Sequence, residues 1–84
     1  MNRNVLDIFI LERDKAVKSL NVAEFRKFYE RWLKRGIYHL PLPLNDKIIE
    51  ITMRKMIYHI KSSTAEEREK AKQWLQERGC DTDI

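Results

Sequence analysis

The side chains that could hold a metal through imidazole or thiol groups are His39, His59 and Cys80. They are widely separated and form none of the short-spaced pairs, such as C-x-x-C, H-x-x-x-H or H-E-x-x-H, that build a metal site. A cysteine nucleophile needs a neighbouring base and a stabilised thiolate. Cys80 instead follows a predicted helix C-terminus, where the helix dipole disfavours negative charge. We therefore expect no metal, no cofactor and no reactive cysteine.

Paired carboxylates and phosphate-binding loops are the next sources of chemistry. Glu66, Glu67 and Glu69 cluster in the first turn of a predicted helix, where carboxylates stabilise the helix dipole without any catalytic role. Gly36 and Gly79 each follow a predicted helix, so no glycine-rich loop is available to hold a phosphate. A chain of 84 residues also leaves little room for a deep ligand pocket. The sequence predicts neither an enzyme nor a small-molecule substrate.

Basic residues dominate the middle of the chain, and the net charge is +4 with a pI near 9.4. They form two strips at helical spacing, which could contact the phosphates of a nucleic acid. The spacing of the last two predicted helices also suits a helix-turn-helix, but the second of them opens on glutamates that would repel phosphates. Nucleic-acid binding is therefore the alternative function. The candidate contact residues are Lys27, Arg31, Lys34, Lys47, Arg54 and Lys61.

A second apolar side on the third predicted helix points to protein binding. At 100° per residue, Ile51 and Tyr58 lie on one line, nearly opposite the main apolar face. Lys47, Arg54 and Lys55 surround them, as basic side chains often surround an exposed interaction patch. The competing interpretation is that the first helix or the proline-containing connector covers both residues within the monomer. No membrane-surface role is expected, because the second helix uses its apolar face for the core.

Four helices must position these groups, and cap residues mark three of them. Asn21, Asn45 and Thr64 are predicted N-caps, and the capping box of Thr64 is completed by Glu67. The predicted helices span about 21–35, 46–60 and 64–78, preceded by an N-terminal helix over about 4–20. Because residues 8–11 are all apolar, an irregular or strand-like opening through residue 11 is the alternative for the N-terminal segment.

The fold class predicted is all-α: a compact bundle of three main helices plus the N-terminal helix. Pro41 and Pro43 favour an extended connector between the second and third helices. The last four residues are expected to fray. The predicted core consists of Phe25, Phe28, Trp32, Ile49, Met53, Met56, Trp74 and Leu75.

Length and composition limit the architecture further. We expect residues 1–84 to form a single domain without a linker. One cysteine argues for a reducing compartment, and no run of residues resembles a secretory signal or a membrane span. A cytoplasmic protein is expected.

Four segments together carry a resemblance. They are residues 13–20, the aromatic helix 25–32, Pro41-Leu42-Pro43, and residues 66–75 before Gly79. In this layout the chain resembles small helical proteins encoded by bacterial prophages and other mobile elements. The resemblance implies an all-α fold and a bacterial cytoplasmic setting, and it implies no activity and no site residue. We expect a non-enzymatic interaction or regulatory module that binds a protein partner or itself as a homodimer.

Overall fold

The protein is built from four α-helices. The computed structural model describes residues 3–43 and 45–83. The helices are α1 (Arg3–Lys18), α2 (Val22–Lys34), α3 (Asp46–His59) and α4 (Ala65–Glu77), and the described residues contain no β-strand. The predicted all-α class is confirmed. Because α1 is regular from Arg3 onward, the alternative of an irregular or strand-like opening is wrong.

The helices begin at the predicted caps. Asn21 Oδ1 accepts a hydrogen bond from the amide of Glu24 at 3.1 Å, and Asn45 caps α3 in a similar way. At α4, Thr64 Oγ1 accepts from the amide of Glu67 at 3.1 Å, while the Glu67 carboxylate accepts from the Thr64 amide at 2.8 Å. These bonds satisfy backbone donors that would otherwise lack a partner in the first turn.

Two helices end at glycines in the left-handed region. Gly36 has a φ of 84° and Gly79 a φ of 69°, a conformation that costs other residues a steric clash at Cβ. The amide of Ile37 donates to the carbonyl of Trp32 at 3.0 Å, and the corresponding bond closes α4. Both helices therefore end in a Schellman closure.

Helix α1 ends without a glycine. Leu20 adopts a φ of 55°, and Ser19 Oγ donates to the carbonyl of Ala16 at 2.6 Å. The left-handed residue stops the helix at Lys18, two residues before the predicted end.

The helices form two antiparallel hairpins. Helix α1 packs on α2, α3 packs on α4, and α3 also contacts α1 and α2. The backbone of α4 approaches only α3 among the helices, although an ion pair of 3.4 Å joins Lys18 of α1 to Glu67. Helix α3 is therefore the element that holds the two hairpins together.

The core is rich in aromatic rings. Phe9 of α1 lies within 5.8 Å, centroid to centroid, of Phe28, Trp32 and Tyr38. Tyr29 stacks on Tyr38 at 3.9 Å, and its hydroxyl donates to the carbonyl of Leu40, which fixes the connector. The buried hydrophobic residues are Ala16, Val17, Phe25, Phe28, Trp32, Ile49, Met53, Ile57, Ile60, Ala71 and Leu75.

Two predictions about this core and its edge are wrong. Trp74 is only half-buried, and the groups over its ring are the guanidinium groups of Arg54 and Arg78, at 4.6 and 3.8 Å from the centroid, in place of core side chains. The predicted fraying of the last four residues also fails for residues 81–83, while residue 84 lies outside the described residues. Asp81 pairs with Lys55 at 3.1 Å, so this segment folds back onto α3. The predicted core residue Met56 is half-buried and packs against the core.

Candidate functional site

The two apolar residues of the predicted patch on α3 are half-buried. Ile51 lines a shallow groove of about 270 Å³ together with Ile48, Thr52 and Lys55. Tyr58 packs against the edge of the core. The chain itself therefore covers part of this patch, and the exposed part is the groove around Ile51.

The charged members of the same patch are mostly engaged within the chain. Arg54 lies over the ring of Trp74, and burial lowers the pKa of its guanidinium. The hydrogen bond from Lys55 lowers the pKa of Asp81, and the positive charge of Lys55 adds to this effect. Lys47 is exposed and has no ion pair among the described residues. One of the three cations is thus left free for a partner.

Exposed apolar side chains also lie on α1, where the sequence predicted no site. Leu6, Ile8, Ile10 and Leu11 are all exposed, and Leu11 is 72% exposed. The helix buries its other face through Val17 and Ala16, and Phe9 packs on the core beside them. We call Ile8 and Leu11, together with the charged residues that flank them, the outer face of α1. The run of four consecutive apolar residues from Ile8 to Leu11 could have predicted this exposed face, because one helix cannot turn all four side chains toward a single core.

Ile10, another exposed aliphatic residue of α1, borders a groove. Ile10 and the half-buried Met56 line an open groove of about 760 Å³ between α1 and the end of α3. His59 and Lys61 give one side of it a basic character. Asp14 also lines the groove, and it accepts hydrogen bonds from Arg13 and Ser62. This groove is wide and shallow, a shape suited to a protein segment more than to a small molecule.

The predicted basic strip on α2 is largely paired. Arg31 donates to Glu12 Oε1 at 2.6 Å, and Lys27 lies 3.8 Å from Glu24. Lys34 is exposed and has no ion pair within residues 3–43 and 45–83. Phosphates binding here would have to displace two acidic side chains.

The strip on α3 is equally discontinuous. The guanidinium of Arg54 lies over the ring of Trp74. The remaining members of this strip are Lys47, near the start of α3, and Lys61, just after its end. These two lysines are both exposed, and fourteen positions separate them. The free cations of α3 are therefore isolated from one another and do not form a continuous surface for binding phosphates.

The imidazole and thiol groups lie in different surroundings. His39 is exposed in the connector, while His59 Nε2 contacts the carbonyl of Thr82 and Cys80 is a half-buried free thiol. Across the described parts of the chain, no three His, Cys, Asp or Glu side chains come together as a metal site would require. Within the same ranges, none of the helices has the length and apolar character needed to cross a membrane.

Comparison with known proteins finds no match: no family model, no curated protein and no solved structure resembles the chain closely enough. What the protein binds must therefore be inferred from its own exposed groups. Among these groups, Ile8 and Leu11 of α1 are large aliphatic side chains that are exposed.

Proposed function

We propose that the protein is a non-enzymatic protein-interaction module that uses the outer face of α1 to bind its partner. The observation that carries this proposal is the exposure of two neighbouring large aliphatic side chains, Ile8 and Leu11, on the side of α1 that faces away from the core. Exposed apolar residues are ordinary when they are scattered singly, but contiguous ones mark interaction sites. Full burial of a single leucine or isoleucine side chain contributes about 1.5–3 kcal/mol, so this surface offers a substantial driving force for association.

The patch on α3 is a second candidate interface within the same proposal. It comprises Lys47, Ile51, Arg54, Lys55 and Tyr58. Its exposed groove and the unpaired Lys47 support a contact with an acidic and apolar partner segment. The covering of Tyr58 and the pairing of Lys55 with Asp81 make it the weaker of the two surfaces.

The biological setting belongs to the proposal as well. A regulatory or accessory role in a bacterial mobile element, in the cytoplasm, is what the sequence resemblance and the single cysteine favour. Neither the mobile-element origin nor the cytoplasmic location changes which surface we expect to bind the partner.

Cross-linking capture from a bacterial lysate, compared among matched variants, tests the proposal. Leu11→Glu places a charge in the outer face of α1, and Ile51→Lys does so in the patch on α3. Leu40→Glu is the control, because Leu40 is 74% exposed in the connector and resembles Leu11 in type and exposure. We expect wild type and Leu40→Glu to capture the same partner and Leu11→Glu to lose it.

The pattern of capture among the variants shows whether α1, α3 or neither surface binds the partner. Loss of capture in Ile51→Lys alone, with an unchanged circular-dichroism spectrum, would move the interface from α1 to α3. Equal capture by all four proteins, together with equal self-association of the purified proteins, would overturn the proposal for both surfaces.

Nucleic-acid binding through the basic strips is the alternative function, and a salt titration distinguishes it. Each phosphate contact on duplex DNA should contribute a slope of about −0.9 to the dependence of log affinity on log salt concentration. Replacing Lys27, Arg31 and Lys34 together with glutamine should flatten that slope if the strips bind. We expect binding no tighter than the nonspecific range of about 10⁻⁴ to 10⁻⁶ M at physiological salt. A submicromolar, salt-sensitive complex would reverse the order of the two functions.

A further inference from the structure

The outer face of α1 carries opposite charges at equal distances from its most exposed apolar residue. Asp7 lies four residues before Leu11, and Lys15 lies four residues after it. At 100° per residue, the two charged residues flank Leu11 by about 40° on either side. All three are exposed, and neither Asp7 nor Lys15 has an ion pair among the residues that the structure describes. Their charges are therefore available to a partner.

We propose that this partner is a second copy of the chain, bound by antiparallel packing of α1 against α1 around a two-fold axis near Leu11. This inference rests on the proposed function, because it names the occupant of the same surface. Four helical residues rise about 6 Å, so Asp7 of one copy is level with Lys15 of the other. The two-fold axis repeats the pair, and each dimer gains two such juxtapositions of opposite charge.

The charge pattern favours the antiparallel arrangement over the parallel one. In a parallel pair, Asp7 would face Asp7 and Lys15 would face Lys15, and like charges at an interface oppose association. In the antiparallel pair Leu11 meets Leu11 at the centre. Ile8 lies beside it, at the level of the aliphatic stem of Lys15 from the second copy. The apolar contacts and the charge pairs therefore both favour the antiparallel arrangement centred on Leu11.

The size of this surface predicts a weak dimer. Leu11 and Ile8 are the large apolar residues on this face, and such an interface falls in the range below about 1,200 Å² that is typical of transient complexes. We expect a dissociation constant on the order of 100 µM, with association strongest at low salt because the ion pairs lie at the edge of the contact.

Sedimentation velocity of the purified full chain, from about 5 to about 500 µM, measures the association across that expected range. We expect wild type to shift from monomer to dimer with concentration. Leu11→Glu should weaken dimerisation at least about tenfold, because it places two carboxylates against each other at the centre. Leu40→Glu, with the same charge change on the connector, should dimerise like wild type.

A charge exchange tests the antiparallel register. Asp7→Lys and Lys15→Glu should each weaken the dimer about five- to tenfold at low salt, because each places two like-charged contacts in it. The double variant Asp7→Lys/Lys15→Glu restores opposite charges and should return to wild-type association. Glu30→Lys is the matched control, since it makes the same charge change on an exposed position of α2. A double variant no better than either single one would overturn the antiparallel register.

The outcomes separate this inference from the proposed function. If the purified chain stays monomeric up to the highest concentration while Leu11→Glu still loses a captured lysate protein, the second copy is overturned and the interaction module stands. If Leu11→Glu alters neither self-association nor capture, both fall. Circular dichroism of each variant establishes that the helices remain folded.

Discussion

The carboxylate of Glu12 joins α1 to α2, and its removal should show what this link contributes to stability. Glu12 Oε2 accepts a hydrogen bond from Trp32 Nε1 at 2.7 Å, and Oε1 accepts one from Arg31 at 2.6 Å. Trp32 is fully buried, whereas the side chain of Arg31 is 52% exposed. The bond to the indole should therefore matter more than the ion pair.

Two substitutions at Glu12 separate these contributions. Glu12→Gln keeps an oxygen for the indole and loses only the charge facing Arg31, which should cost about 0.2–1 kcal/mol because the pair is exposed. Glu12→Ala also leaves the buried indole N–H without an acceptor, which adds about 1–3 kcal/mol. Because 1 kcal/mol moves the melting temperature of a domain of this size by about 4–8 °C, the two variants should melt at clearly different temperatures.

Thermal and urea denaturation followed by circular dichroism measure the difference. Glu30→Ala is the control, because Glu30 is exposed on α2 and the substitution should change stability by less than about 0.5 kcal/mol. A double-mutant cycle with Trp32→Phe isolates the indole bond, because Glu12→Ala should cost much less once the donor is gone. Equal destabilisation by Glu12→Gln and Glu12→Ala would refute the assignment of the larger effect to the buried indole.

Three further predictions concern single positions. The hydroxyl of Ser63 is buried with no hydrogen-bond partner among the described residues, so Ser63→Ala should raise the melting temperature, and a clear fall would contradict this. Burial raises the pKa of Tyr38 to about 12, and Tyr29 adds to the shift. The native state then keeps a proton that the unfolded chain loses above about pH 10, so stability should fall from pH 10 to 12, and Tyr38→Phe should flatten the fall in alkaline urea titrations. Asp81→Asn should weaken the contact with Lys55 and speed amide exchange at residues 81–83, whereas unchanged exchange would show that the contact with His59 suffices.

The elements of this fold were predictable because local chemistry determines them. Asn21 and Thr64 each satisfy a backbone donor within three residues, and Gly36 and Gly79 supply the left-handed conformation that closes a helix. None of these choices depends on distant residues. The end of α1 was the exception, because a leucine in the left-handed region gives no sequence signal.

Burial was predicted less well, because it depends on which helix covers which face. The helical spacing of the apolar residues places Trp74 on the apolar stripe of α4, yet two arginines cover its ring in place of core residues. It also places Ile51 and Tyr58 away from the main face of α3, but it does not reveal that residues 81–83 return to the same helix. The outer face of α1 was missed because helical spacing was used there only to identify the helix.

The division into two hairpins has a consequence for how the molecule opens. The rings from Phe9 to Tyr38 belong to α1, α2 and the connector, while the backbone of α4 touches only α3. The last helix can therefore detach as a separate cooperative unit while the aromatic cluster stays closed. Native-state hydrogen exchange should then show two tiers of protection, with the amides of α4 exchanging through a partial opening and those of α2 only through global unfolding. During synthesis, the half of the chain that carries the rings would leave the ribosome first, so the nascent protein could collapse before its final helix exists.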